Sequence, residues 1–306
     1  MDRSEQSLMH GVPVYLLMPM IAAVVYAVGA LFFKEAFRRG AGTLHTFVAT
    51  SWIMALFFVP FIFWETKAIQ WNLIHCPLLT GFAFFIGHWI TFTAIRVGDI
   101  SLVTPVMGTK SIFVAFFAWL VFQKEVAGGM WTAAVLTAVA VYILGKTDLK
   151  PLKNRMPLAT GLTIASSACF GLCDALVQEW AIQFGVKSFL SLLFLTVALL
   201  SSCLVPFFEK PLCQLEKGTL GWLLTGAVLT GLQAIFIALS VSLYHNATGV
   251  NVVYSSRGLW AIVLVWLSAR VIGKTTEETD ARKLLLRFTG ATLMCVAILL
   301  AIMESK

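Results

Sequence analysis

Long apolar stretches follow one another from residue 12 to residue 303, separated by short polar turns. Ten of them can cross a hydrocarbon core of about 30 Å as helices: 12–33, 44–64, 77–96, 99–123, 128–146, 157–183, 187–208, 219–243, 247–271 and 285–303. The runs are continuous rather than alternating with period two, which selects helices over the strands of a barrel. Helices and closed barrels are the structures that satisfy every backbone polar group inside a bilayer. The first run exceeds the apolar region of a cleaved signal and reads as a mature helix.

The longest turn, KTDLKPLKNRMP at 146–157, divides the spans five and five. The halves also match in sequence. VMGTKSIFVAFFAWL (106–120) reads against VYSSRGLWAIVLVWL (253–267), an offset of 147 that pairs Lys110 with Arg257, Trp119 with Trp266 and Ser101 with Thr248. AAVLTAVAVYIL (133–144) reads against GATLMCVAILLA (290–301) at an offset of 157, the extra ten residues being an insertion around TTEETDARKL. Span two ends in Pro60-Phe61 and span seven in Pro206-Phe207. An odd number of spans per repeat gives the repeats opposite orientations, with a site expected at mid-depth between them. The pattern predicts an all-α integral membrane protein of ten transmembrane helices in two inverted five-helix repeats. These are residues 1–148 and 157–306, joined by a basic loop at 149–156.

Composition agrees. The chain is 59% hydrophobic and 12% charged, with a mean hydropathy of +0.88, which excludes a soluble domain of this length. The net charge of +7 is what a positive-inside membrane protein carries and implies no nucleic-acid partner. Fifteen Lys and Arg fall in the connections on one side and five on the other. The richer side is expected to be cytoplasmic, with both termini outside a plasma (bacterial inner) membrane. The six cysteines form no CxxC pair, so no disulfide framework is expected.

Lys110 and Arg257 sit midway along their apolar runs, where each cation costs about 2.5–3.5 kcal/mol. Asp174 is the third mid-depth charge, on a polar stripe with Thr163, Ser167, Gly171 and Gln178. Unpaired, the three would cost roughly 8–10 kcal/mol, comparable to a protein's whole stability, so they must be paired or hydrated. One acid against two bases leaves an excess of +1, which a water-filled anion pocket explains and a structural ion pair alone does not. Asp174 reads either as counter-ion to one of the bases or as a proton- or substrate-binding group. His88 in span three could relay protons or serve as a packing residue. Gln233 in span eight and Asn251 and Tyr254 in span nine complete the candidate substrate site. On an ideal wheel Ser101, Thr104 and Gly108 share a face from which Lys110 is turned by roughly 100° or more. No histidine lies three or four residues from His88 and no HExxH occurs, which argues against a metal site. GTKS (108–111) lacks the rest of a phosphate loop, no nucleophile–base set is visible, and neither an enzyme nor a bound cofactor is expected.

The segment AIRVGDISLVTPVMGTKSIFVAFFAWLVFQKE (94–125), with Gly98, Ser101, Pro105 and Glu125 in place, resembles the core pattern of the drug/metabolite transporter superfamily, EamA type. The resemblance implies helices packed around a central cavity, secondary transport of small metabolites and no cofactor. In members that carry organic phosphates, basic residues of the fourth and ninth spans hold the anion, and Lys110 and Arg257 stand in comparable spans. The second half departs from the pattern: Val252 replaces the proline matching Pro105, and Gly273-Lys274 replaces the glutamate after span nine. Relatives often keep both termini cytoplasmic, against the charge count.

The expected function is a secondary transporter for a small anionic metabolite, in which Lys110 and Arg257 bind the acid group. Asp174 and His88 are the coupling candidates, and His88, Gln233, Asn251 and Tyr254 contact the rest. The rivals are a proton-coupled exporter of neutral or cationic compounds and a non-transporting receptor or scaffold. Small residues such as Gly218 and Gly221 make a homodimer a candidate assembly. The partners otherwise expected are the small-molecule substrate and the lipid bilayer.

Overall fold

A computed structural model describes residues 14–97, 103, 106–123, 125–146, 156–208, 215–244, 246–260, 263–264 and 281–304. The helices are α1 (Val14–Arg38), α2 (Thr43–Phe58), α3 (His75–Val97), α4 (Lys110–Phe122), α5 (Gly128–Lys146), α6 (Met156–Phe184), α7 (Val186–Ser202), α8 (Lys217–Tyr244), α9 (Ala247–Tyr254) and α10 (Ala281–Met303). Among the described residues five helical segments are long and apolar enough to cross a membrane: Leu16–Arg38, Thr43–Trp64, Trp71–Val97, Pro157–Phe184 and Gly218–Tyr244. Met107–Phe122, Gly128–Leu144, Val186–Ser202 and Phe288–Met303 are shorter apolar helices. Among the described residues there is no strand. Pro105, Ser101, Thr104, the greater part of the loop joining the halves and most of the insertion before α10 lie outside the described residues.

Large side chains such as Leu56, Trp119, Leu199 and Leu299 are exposed, as a lipid-facing surface requires. Hydroxyl side chains inside the helices turn back on their own backbone: Thr50 donates to the Thr46 carbonyl at 2.6 Å and Thr163 to that of Ala159 at 2.7 Å. These bonds remove the cost of an unpaired polar group away from water. Pro60 and Pro206 each sit in a 3₁₀ turn that follows a helix, Val59–Trp64 after α2 and Val205–Phe207 after α7. Proline lacks the N–H needed to continue the helical ladder.

The most extensive helix pairings cross between the halves: α1 lies along α8, α3 along α6 and α5 along α10. The largest buried cluster joins Phe58 of α2 to Phe184, Phe189, Leu190, Leu193 and Phe194 at the α6–α7 corner, with Phe58 and Phe194 stacked at 4.1 Å.

Two further links tie the halves together. On one side the Glu65 carboxylate accepts from the backbone N–H groups of Thr66 (3.0 Å), Lys67 (3.1 Å), Lys187 (2.9 Å) and Ser188 (3.3 Å). It thereby closes the open N-terminus of α7 with a charge borrowed from the other half. Lys67 donates to the Ile182 carbonyl and Lys187 to that of Trp64, both at 2.7 Å. Gly185, between α6 and α7, has φ +108°, and a side chain there would press on Glu65, so both backbone and space require glycine. On the other side the link is slighter. Thr219 donates to the Arg39 carbonyl at 3.3 Å and the Arg39 guanidinium lies 5.6 Å from the Trp222 ring centre.

Candidate functional site

The two basic residues stand at breaks in their helices rather than within unbroken ones. A 3₁₀ turn at Met107–Thr109 precedes Lys110, which opens α4. α9 stops at Tyr254, Ser255 and Ser256 form a turn, and helix resumes at Arg257. The 3₁₀ turn changes the phase of the ideal wheel: Met107 and Lys110 both face the central cavity, while Gly108 abuts Val141 of α5.

That cavity, of about 180 Å³, is lined by both halves. Its polar wall includes Tyr26 of α1, His88 of α3, Lys110, Asp174 of α6, Gln233 of α8, Tyr254 and Arg257. Six of the seven residues singled out from the sequence thus meet in one space. The seventh, Asn251, stands behind it, 1% exposed.

Asp174 is placed by close packing. A side chain at Gly171, one turn earlier, would come within 2.6 Å of the Phe113 Cβ, so glycine lets α6 and α4 approach. Lys110 Nζ meets Asp174 Oδ2 at 2.7 Å. Asn251 Nδ2 donates to the same oxygen at 2.5 Å and to the Ala247 carbonyl at 2.8 Å. Gln178, further along the stripe, accepts from the Ala247 N–H at 2.7 Å and caps the start of α9. The polar face of α6 therefore meets α4 and α9. Asp174 and Lys110 thus form an ion pair at the cavity wall.

Arg257 is different. It is 8% exposed, and among the described residues no carboxylate lies within ion-pair distance of it. Its guanidinium carbon lies 4.4 Å from the ring centre of Tyr254 and 4.9 Å from that of Tyr26. The rings stand edge to face at 6.1 Å. Aromatic faces stabilise a cation without neutralising it.

His88 sits among the rings of Phe47, Phe84, Phe92 and Phe170, with centroids 4.9, 5.6, 5.1 and 6.3 Å away. Its Nδ1 and the Gln233 Oε1 are buried without a hydrogen-bond partner. Sequence reasoning missed Tyr26. The available signal was a tyrosine in the middle of an apolar run rather than at its end, where interfacial tyrosines gather. It also missed the phenylalanines, which nothing distinguishes from lipid-facing ones in a chain with 24 of them.

The described chain thus combines apolar helices long enough to cross a membrane with a charged cavity lined by both halves. Residues 13–146 match the EamA-like transporter family. That match, over somewhat less than half of the chain, bears out the resemblance to the drug/metabolite transporter superfamily read from 94–125. The EamA-like segment carries Tyr26, His88 and Lys110. Asp174, Gln233, Tyr254 and Arg257 lie beyond it. A solved structure, 12% identical, superposes with a TM-score of 0.67 over 95% of this chain and 98% of its own, which shows a shared fold. No curated protein matches the chain.

Proposed function

We propose that the protein is a secondary transporter that moves a small anionic metabolite across the plasma membrane by alternating access between two inverted five-helix repeats. One observation carries the anionic reading: of the two mid-depth cations, one is neutralised and the other is not. Lys110 is paired with Asp174 at 2.7 Å, which leaves Arg257 as the uncompensated charge of the described cavity wall. An arginine stays protonated under such burial and offers a planar fork of donors suited to carboxylate or phosphate. Helix breaks at the matched positions 107–109 and 255–256 support the repeat reading, because discontinuous helices commonly frame such sites. The lysine- and arginine-rich connections support a cytoplasmic assignment for the side that carries Arg38 and Arg39.

In this reading Arg257 anchors the acid group, Gln233, His88 and Tyr254 contact the remainder, and the Lys110–Asp174–Asn251 set holds α4, α6 and α9 in register. The proton-coupled exporter of neutral or cationic compounds has less support. Asp174 is already committed to two donors, and His88 has phenylalanine rings around it where a proton relay would need polar neighbours. The test is uptake into vesicles reconstituted with the purified protein. Arg257→Gln is expected to lower anion transport by about a hundredfold with little change in thermal stability. Wild-type transport by that variant would overturn the proposal.

A further inference from the structure

We propose that the substrate is a singly charged organic acid: one carboxylate, an apolar body, and a hydroxyl or N–H donor set apart from the acid group. This rests on the anion-transport reading and narrows it.

Charge sets the valence. Lys110 and Asp174 cancel each other, so the described cavity wall carries one net positive charge, that of Arg257. A single carboxylate completes the balance. A phosphate monoester dianion would leave a second negative charge unmatched in a cavity walled by hydrocarbon, where unpaired charge is costly. A cationic substrate would face Arg257, with Asp174 already shared between Lys110 and Asn251.

The orphaned polar atoms define what stands opposite the acid. Gln233 is 8% exposed and His88 is 7% exposed. Gln233 and His88 line the same cavity, and Gln233 Oε1 and His88 Nδ1 are buried without partners within the protein. Buried polar groups are ordinarily satisfied, and those that are not call for an explanation. An amide oxygen can only accept. A substrate hydroxyl or N–H reaching Gln233 supplies the missing donor, and a hydroxyl oxygen can in turn accept from a protonated His88 Nδ1.

The remaining wall sets the body. It is built of Phe33, Phe84, Phe92, Phe170, Phe194 and aliphatic side chains. A sugar or other polyol would strand most of its hydroxyls there, whereas an aromatic or branched hydrocarbon body would not. A largely apolar cavity with a few convergent polar groups is the ordinary form of a site for an amphipathic small molecule.

The test is thermal stability of the full-length protein in detergent, titrated with 2-hydroxy-3-phenylpropanoate, 3-phenylpropanoate, phenyl phosphate and 2-phenylethylammonium. The hydroxy acid is expected to bind tightest, and the plain acid about tenfold weaker, as the loss of one good hydrogen bond allows. Phenyl phosphate and the amine should give no shift. Gln233→Leu should bring the two carboxylates within about twofold of each other by weakening only the hydroxy acid. If phenyl phosphate binds as tightly as the hydroxy acid, and Arg257→Gln abolishes both, the substrate class is overturned and the anion reading survives. Equal affinity of the two carboxylates for the wild type overturns the donor requirement in the same way. If only the amine stabilises the protein, or no anion does, both readings fall.

Discussion

Lys110 and Arg257 occupy matched positions 147 residues apart, each just after a break in its helix, yet their surroundings differ in kind. Lys110 has a carboxylate; Arg257 has two tyrosine rings. The same offset explains the difference, because it carries Asp174 onto Ala27, the neighbour of Tyr26. The second half supplies α6 with an acid that α4 of the first half uses. The first half supplies α1 with alanine and tyrosine where Arg257 would find one. The matched positions thus form an asymmetric pair, one cation beside a carboxylate and the other between aromatic rings.

The largest effect separates the two roles. Asp174→Ala leaves the part-buried Lys110 without its carboxylate and should cost about 3 kcal/mol, the low end for breaking a buried pair, measured by thermal unfolding in detergent. The double variant Lys110→Met with Asp174→Leu should recover most of that loss. A double variant no more stable than Asp174→Ala would mean that the pair does more than cancel charge. Next comes a substitution that erases the asymmetry. Tyr26→Asp places a carboxylate beside Arg257, and anion affinity in binding titrations should fall about a hundredfold although Arg257 is still present. Retained affinity would show that the acid group binds elsewhere.

The smallest effect lies outside the pair and serves as its control. Burial raises the Glu65 carboxyl, but its bonds from the Lys67, Ser188, Lys187 and Thr66 backbones outweigh that and hold it below the usual carboxylate value. A carboxyl with a depressed folded-state value contributes stability that is complete above the ordinary carboxylate range. That stability is lost as pH falls through the lower folded-state value. Glu65→Gln should therefore lower stability by about 1 kcal/mol near neutral pH, the usual worth of a helix cap. The gap between wild type and variant should close in strongly acidic buffer. A gap independent of pH would assign the effect to shape rather than charge.

The helical character and the mid-depth charges were legible in the sequence because lipid imposes simple rules: continuous apolar runs, and a cost for every charge within them. That cost put Lys110, Asp174 and Arg257 on one short list, and a single cavity holds all three. What the sequence could not assign was the partner of Asp174. Pairing depends on which helices touch, and a three-residue 3₁₀ turn at Met107–Thr109 decides which way Lys110 points. An ideal wheel has no place for that turn. Tyr26 was hidden for a related reason, since its importance lies in a contact with a residue 231 positions later.

The interleaving of the halves also bears on how the chain is made. α1 finds its most extensive partner in α8, which begins at Lys217, some two hundred residues further along the message. The early helices are therefore inserted long before the surfaces they will cover exist. Insertion and packing are consequently separate stages for this protein, and a variant can pass the first while failing the second.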